Sequence, residues 1–248
     1  MPAAHATAAA DVQRSTCLDP ARTLVVTPSG TITTKYSPPV VAETTYIATA
    51  TIWRPNLRIY PIGIDSGAVP RVCWLDGKVF GSIPARMTWE DAHSYNQPCA
   101  RIVATDWMLV DGLRCDNTDD GFRPRETSTG AQDVTMTVRN TYFTRMHDDC
   151  LENDGVIGGL LQDNLWQGCN MGISEKPTGG SFSQPAGETL VLDHMLMGLW
   201  LNPHAGGPGE GSLFKWSSSS ANELVIECSI FKVDRKSLNG AQSMEVPA

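Results

Sequence analysis

Apolar residues in this chain fall in short runs of four to seven, rich in Val, Ile, Leu and Phe, set between clusters of Asn, Asp, Gly and Pro. That is the grammar of strands and turns; the spacing of an amphipathic helix is scarce. Five segments, 109–114, 138–143, 161–166, 192–197 and 226–231, can be laid over one another. Their first position is aliphatic (Leu109, Val138, Leu161, Leu192, Ile226) and their third is Asp111, Asn140, Asp163, His194 or Cys228. The fifth is Leu113, Tyr142, Leu165, Leu196 or Ile230. An irregular period whose shortest member is 23 residues (138 to 161) suits an all-β parallel solenoid with long insertions of variable length at one turn. Stacking each coil on the next completes both its hydrogen bonds and its core, so positions one and five are expected to form inward ladders. The third position is expected at bends, where Asn and Asp tolerate unusual backbone angles.

Before residue 100 the alignment is poorer, although 45–53, 57–64, 71–75 and 79–83 read as strands of earlier coils. Residues 1–20 read as a loose leader and 21–248 as one domain, with about 21–44 as an N-terminal cap on the open end. The pattern resembles the single-stranded right-handed parallel β-helix, the pectin-lyase-like fold of pectin-degrading enzymes, other polysaccharide lyases and phage tailspikes. An irregular β-sandwich is the alternative, but it would give turn signals every 8–12 residues without vertical matching.

Composition narrows the class. Hydrophobic residues make up 41%, enough for a core, and a net charge of −8 argues against a nucleic-acid backbone as partner. No apolar run reaches the length of a membrane span. The seven cysteines include no Cys-x-x-Cys pair, so a zinc cage of close thiolates is not indicated. Buried thiols are expected for several, Cys228 among them, with one or two disulfides if the chain is exported. The N-terminus has neither a basic region nor an apolar core, so it does not read as a signal peptide; a secreted or periplasmic setting is expected from the fold alone.

The candidate chemistry lies where two aligned coils continue without a gap. Asp119 falls over Asp148, Asp120 over Asp149 and Arg123 over Glu152, with Met171, Gly172 and Glu175 expected at the same heights one coil on. Close like charges cannot all stay ionised, so one carboxyl should hold its proton beside another that does not, as a general acid beside a base requires. Three readings are open. Asp119, Asp148 and Asp149 are catalytic carboxylates that split a glycosidic bond, with Asp120, Arg123, His147, Glu152, Glu175 and Lys176 binding substrate. Or Asp119, Asp148 and Asp149 hold calcium, and Arg123, Arg125, Arg145 or Lys176 is the base of an elimination. Or these are turn residues that cap backbone groups and do no chemistry.

Asn117-Thr118-Asp119, followed one coil later by Asp148-Asp149-Cys150, resembles the Asn-Thr-Asp and Asp-Asp-Cys motifs of the polygalacturonase family of glycoside hydrolases. The resemblance implies an inverting hydrolase on a β-helix, with Asp119, Asp148 and Asp149 as its catalytic carboxylates. Where that family has Gly-His-Gly this chain has Asn170-Met171-Gly172, and the Arg-Ile-Lys motif is not found. A polysaccharide or oligosaccharide is the expected partner and no cofactor is required. A calcium-assisted lyase and a non-catalytic glycan-binding module are the alternatives. Trp166 and Trp200 suit either sugar stacking or the core. His194 and His204 are too far apart in sequence to suggest a chelate, and 178–187 and 204–211 read as insertions walling a groove.

Overall fold

The computed structural model describes residues 12–65, 70–126, 134–176, 188–200, 211–216 and 221–233. The insertion at 178–187, all but the last residue of the one at 204–211, and most of the leader (1–11) lie outside them. Among the described residues the fold is all-β, its strands pair in parallel, and no closed barrel forms.

One sheet stacks Thr23–Val26, Thr44–Ile47, Arg71–Leu75, Trp107–Asp111, Thr135–Arg139, Gly158–Gln162, Thr189–Asp193 and Glu223–Glu227, in chain order and parallel throughout. A second run of parallel strands follows each bend: Gly30–Ile32, Thr51–Trp53, Lys78–Phe80, Arg114–Asp116, Tyr142–Glu152, Leu165–Glu175, Leu196–Leu199 and Ile230–Lys232. The two long members bend at a bulge, and their far halves join a third run with Ile62–Ile64, Ala100–Ala104, Phe122–Glu126 and Ser212–Trp216. Each pass through these runs is one rung, which buries its inner side chains only because the next rung continues them.

The inward columns are therefore vertical. In the first sheet Tyr46, Trp74, Val110, Val138, Leu161, Leu192 and Ile226 stack in register. In the second run Trp53, Val79, Cys115, Phe143, Trp166, Met197 and Phe231 do the same. Between them the chain turns at a left-handed residue in each of six rungs: Asp76 (φ 64°), Gly112 (φ 81°), Asn140 (φ 52°), Asp163 (φ 53°), His194 (φ 52°) and Cys228 (φ 44°). The expected bend at Asn140 and Asp163 is found.

Two details of the expected pattern shift. Val110, not Leu109, aligns with Val138. Leu109 faces outward yet stays buried, because the N-terminal segment crosses this face: Cys17, Cys73, Leu75 and Leu109 form a cluster with Val12, Ile47 and Trp107 packed on it. In four of the five segments the fifth position points out, not in, whereas Leu113 in the first is buried in the core as expected. Tyr142, Leu165, Leu196 and Ile230 are exposed, because the residue after each bend turns inward and the next faces solvent. At that inward corner Asn164 accepts from the Thr141 backbone N–H (2.9 Å) and hydroxyl (2.7 Å), a buried polar link between rungs.

Residues 12–20 are tied down rather than loose: Arg14–Cys17 is a short helix, and Cys17 is disulfide-bonded to Cys73. Residues 23–32 add strands to the stack instead of capping it. Two further disulfides, Cys99–Cys115 and Cys150–Cys169, leave Cys228 free and exposed, not buried as expected. Three disulfides are compatible with an extracellular or periplasmic setting. Among the described residues no helix is long and apolar enough to cross a membrane.

Candidate functional site: a buried acidic corner

The corner between the second and third runs is shaped by local backbone features. Arg145 adopts φ 55°, and the pairing of Tyr142–Glu152 with the next rung shifts register between Met146 and Asp149. That bulge re-aims Asp148 and Asp149. On the preceding rung Gly121 follows Asp120; a Cβ there would lie 2.4 Å from the Cys150 carbonyl oxygen and 2.7 Å from the Phe143 ring. Only glycine lets the two acidic turns lie this close. Across the corner the backbone keeps parallel pairing, with Asp148 N–H donating to Asp119 O (2.8 Å) and Gly121 N–H to Asp149 O (2.9 Å).

Asp119 thus stacks with Asp148, Asp120 lies beside Asp149 and Arg123 meets Glu152, as the alignment expects. On the following rung the match moves by one residue: Asp149 pairs with Met171 and Glu152 with Ser174. The converging trio is Asp120, Asp148 and Asp149, each offering an oxygen within 4.8 Å of the others, and all three are buried. Asp119 is not one of the three; both of its carboxyl oxygens are buried, with the Gln97 backbone as a weak partner.

Each member of the trio has a distinct setting. Asp120 accepts from Arg123 (2.6 Å) and from the Asp149 backbone N–H (3.2 Å). Arg123 is itself buried, donates to Asn96 Oδ1 (2.5 Å) and pairs with Glu152. Asp148 is gripped by the helix Trp89–His93, which Thr88 caps by accepting from the Asp91 N–H. Trp89 Nε1 donates to Asp148 Oδ1 (3.0 Å), His93 Nδ1 lies 2.8 Å from Oδ2, and the two rings stack with centroids 4.6 Å apart. Asp149 has the Lys215 ammonium 3.6 Å from Oδ2.

Burial dominates the proton affinities. It pushes Asp119 up to about 9, reinforced by the charges of Asp120 and Asp148. It raises Asp149 well above the usual carboxylate range, with Asp148 adding to the effect and Lys215 opposing it. Glu152 is pushed up to about 11 by burial and by Asp120, against the pull of Arg123. The hydrogen bond to Asp148 raises His93 against the opposing effect of burial. Burial, then the Arg145 charge, lowers His147 to about 4. Burial thus favours the protonated forms of Asp119, Asp149 and Glu152, beside side chains that accept from Arg123, Trp89 and His93.

Not every expected binding residue reaches this corner. His147 is buried, with Nε2 3.0 Å from Asn117 Oδ1 and its ring against Trp200 (5.7 Å between centroids). Glu175 lies in a separate buried knot, accepting from Asn153 Nδ2 (2.7 Å), Asn222 Nδ2 (2.9 Å) and the Asn222 backbone N–H (2.9 Å). Lys176 is exposed. Trp166 is core, stacked on Phe143 (5.4 Å) with Nε1 donating to Thr141 Oγ1 (2.8 Å). Sequence reasoning missed Trp89, His93 and Lys215. The Thr88 cap before Trp-Glu-Asp was a visible helix start, but nothing local placed that helix over Asp148. Compared with family models, curated proteins and solved structures, the chain matches none.

Proposed function

We propose that the stacked rungs form a single-stranded right-handed parallel β-helix of the pectin-lyase-like kind, in an exported protein, and that its acidic corner hydrolyses a glycosidic bond in a polysaccharide. The observation that carries this is the convergence of three buried carboxylates in unlike settings. Asp149, whose proton is held by burial and by its neighbour Asp148, acts as the general acid toward the leaving oxygen. Asp148 is the base that takes a proton from water, and Asp120, fixed by Arg123, orients that water. Asp119 backs the trio without reaching the sugar.

The trio is covered by Trp89, His93 and Lys215, so the substrate enters by displacing the Trp89–His93 helix. This frees the two Asp148 oxygens that the helix occupies. Glycan binding is further supported by a pocket of about 300 Å³ on the outer face of the second run, whose lining includes Lys78, Phe80, Arg114, Asp116, Tyr142 and Thr144. Asp116 leads through Asn117 and Thr118 into the acidic turn, and aromatic faces beside charged groups suit sugar rings.

A second reading has its own observation: three carboxylate oxygens within 4.8 Å of one another suit calcium, and a calcium-assisted lyase would use them so. Arg123 and Lys215 already supply positive charge there, which favours hydrolysis. A panel of polysaccharides tests the choice. New reducing ends without ultraviolet absorbance support hydrolysis, and an unsaturated, absorbing product selects the lyase. Binding with no cleavage of any glycan selects a non-catalytic module and refutes the enzyme.

A further inference from the structure

A second cluster of ligating side chains lies away from the acidic corner. The bend between the first sheet and the second run is left-handed in six stacked rungs, and four of them use residues suited to it: Asp76, Gly112, Asn140 and Asp163. The last two use His194 and Cys228, at φ 52° and 44°, where a cysteine has no local reason to be. The strands ending at Asp193 and Glu227 pair in register, and the His194 backbone N–H donates to the Glu227 carbonyl (3.3 Å), so His194 and Cys228 are neighbours across the last two described rungs. Asp193 joins them: one ligand atom each from Asp193, His194 and Cys228 lies within 4.8 Å of the other two.

We propose that Asp193, His194 and Cys228 form a binding site for Zn²⁺, which clamps the rung of Glu223–Lys232 to the one before it. A thiolate, an imidazole and a carboxylate are a borderline-soft donor set that suits zinc rather than calcium or magnesium. Their charges balance as well, since one thiolate and one carboxylate neutralise a divalent ion. Three protein ligands leave the fourth tetrahedral position to water.

The site is also supported from behind. Gln162 Nε2 donates to Asp193 Oδ2 (2.9 Å), which orients the carboxylate and turns Oδ1 to His194 Nδ1, 2.5 Å away. His194 Nδ1 and Asp193 Oδ1 thus already face each other, and a metal would take a lone pair from each together with the Cys228 sulfur. Cys228 is the cysteine that the three disulfides leave free, and it is exposed. The last rung among the described residues gains most from a clamp: Glu223, Glu227 and Ile230 are exposed, and Ile226 is only half-buried where its counterparts in the four rungs before are buried.

The test uses the full chain, freed of metal by a chelator and kept without reductant so that its disulfides stay closed. Zinc should bind one equivalent at this site, raise the melting temperature and shield the Cys228 thiol from a thiol reagent. Cobalt(II) should give a thiolate-to-metal charge-transfer band. His194→Asn accommodates the left-handed bend at least as well as histidine, so the apo variant should melt no lower than the wild type. It and Cys228→Ser should weaken zinc binding by at least ~10²-fold and lose the cobalt band. Asp148→Asn should keep both, which separates this site from the acidic corner. A thiol that stays reactive in zinc with no cobalt band overturns the proposal. So does zinc binding unchanged in His194→Asn and Cys228→Ser, or a Cys228 found disulfide-linked to a second copy.

Discussion

Replacing Arg123 with methionine tests whether the acidic corner is held by charge balance. The side chain is buried between Asp120 and Glu152, with a further contact to Asn96. Methionine keeps most of the stem and removes the cation. Asp120 and Glu152 are both raised in proton affinity by burial, so together with Arg123 they form a near-neutral unit when they share one proton. Without the guanidinium one carboxylate is left buried and unpaired. Removing one partner of such a pair costs about 3–5 kcal/mol; since Glu152 keeps some exposure, about 3 kcal/mol is expected at pH 8. For a chain of this size that lowers Tm by about 6–12 °C.

The sign with pH follows from linkage. The folded variant holds an extra proton that the unfolded chain releases above its ordinary carboxylate pKa, so its stability falls as pH rises. The gap from wild type should be small near pH 4 and largest at pH 8, measured by urea melts at both. Arg123→Met/Glu152→Gln should recover at least half of the loss. A cost below about 1 kcal/mol at pH 8, or a gap that does not change with pH, would refute the charge-balance account.

Three other outcomes are expected. Asp148→Asn and Asp149→Asn should each lower glycan cleavage by at least ~10²-fold, while the Asp149 change leaves stability equal or higher because it removes a group whose charged form is disfavoured by burial; melting curves and reducing-end assays check both. His93, raised by its bond to Asp148, should contribute stability that is present below its unfolded value of 6.5 and lost as pH rises through its higher folded value. An NMR titration of the His93 ring, with His93→Gln flattening the pH profile of stability, checks this. Trp166→Ala should cost about 3–5 kcal/mol, as for other buried aromatic truncations, read as a loss in chemical denaturation.

What the sequence made legible follows from how far apart the interacting residues lie. Val138, Leu161, Leu192 and Ile226 are readable as one column because each stacks on the same position one rung away, and the acidic pairs follow from the same spacing. Leu109 and Val110 are both apolar for different reasons, one covered by residues 12–17 and the other in the core, and periodicity alone cannot separate them. Tyr142, Leu165, Leu196 and Ile230 misled for the converse reason, being large apolar residues that face solvent. The partners of Asp148 and Asp149 come from a helix 55 residues upstream of Asp148 and from Lys215. Such contacts depend on where the insertions fold back, which no local pattern encodes. The disulfide pairs were hidden likewise, since seven cysteines allow many pairings and only the stacking brings Cys150 beside Cys169.

The strap formed by residues 12–17 across the outside of the first sheet has a consequence for how the chain is made. Its contacts reach forward to Asp76, to Asp111 and, 125 residues on, to the Thr137 hydroxyl. During synthesis, residues 12–17 emerge early and must wait for their seat until the fourth and fifth strands of that sheet have left the ribosome. Chain growth from the N-terminus thus lays down the inner ladder first and closes the outer strap later, with Cys17–Cys73 able to form before the strap is fully seated. Oxidation at that first pair would tether the strap within reach, turning a distant search into a local one.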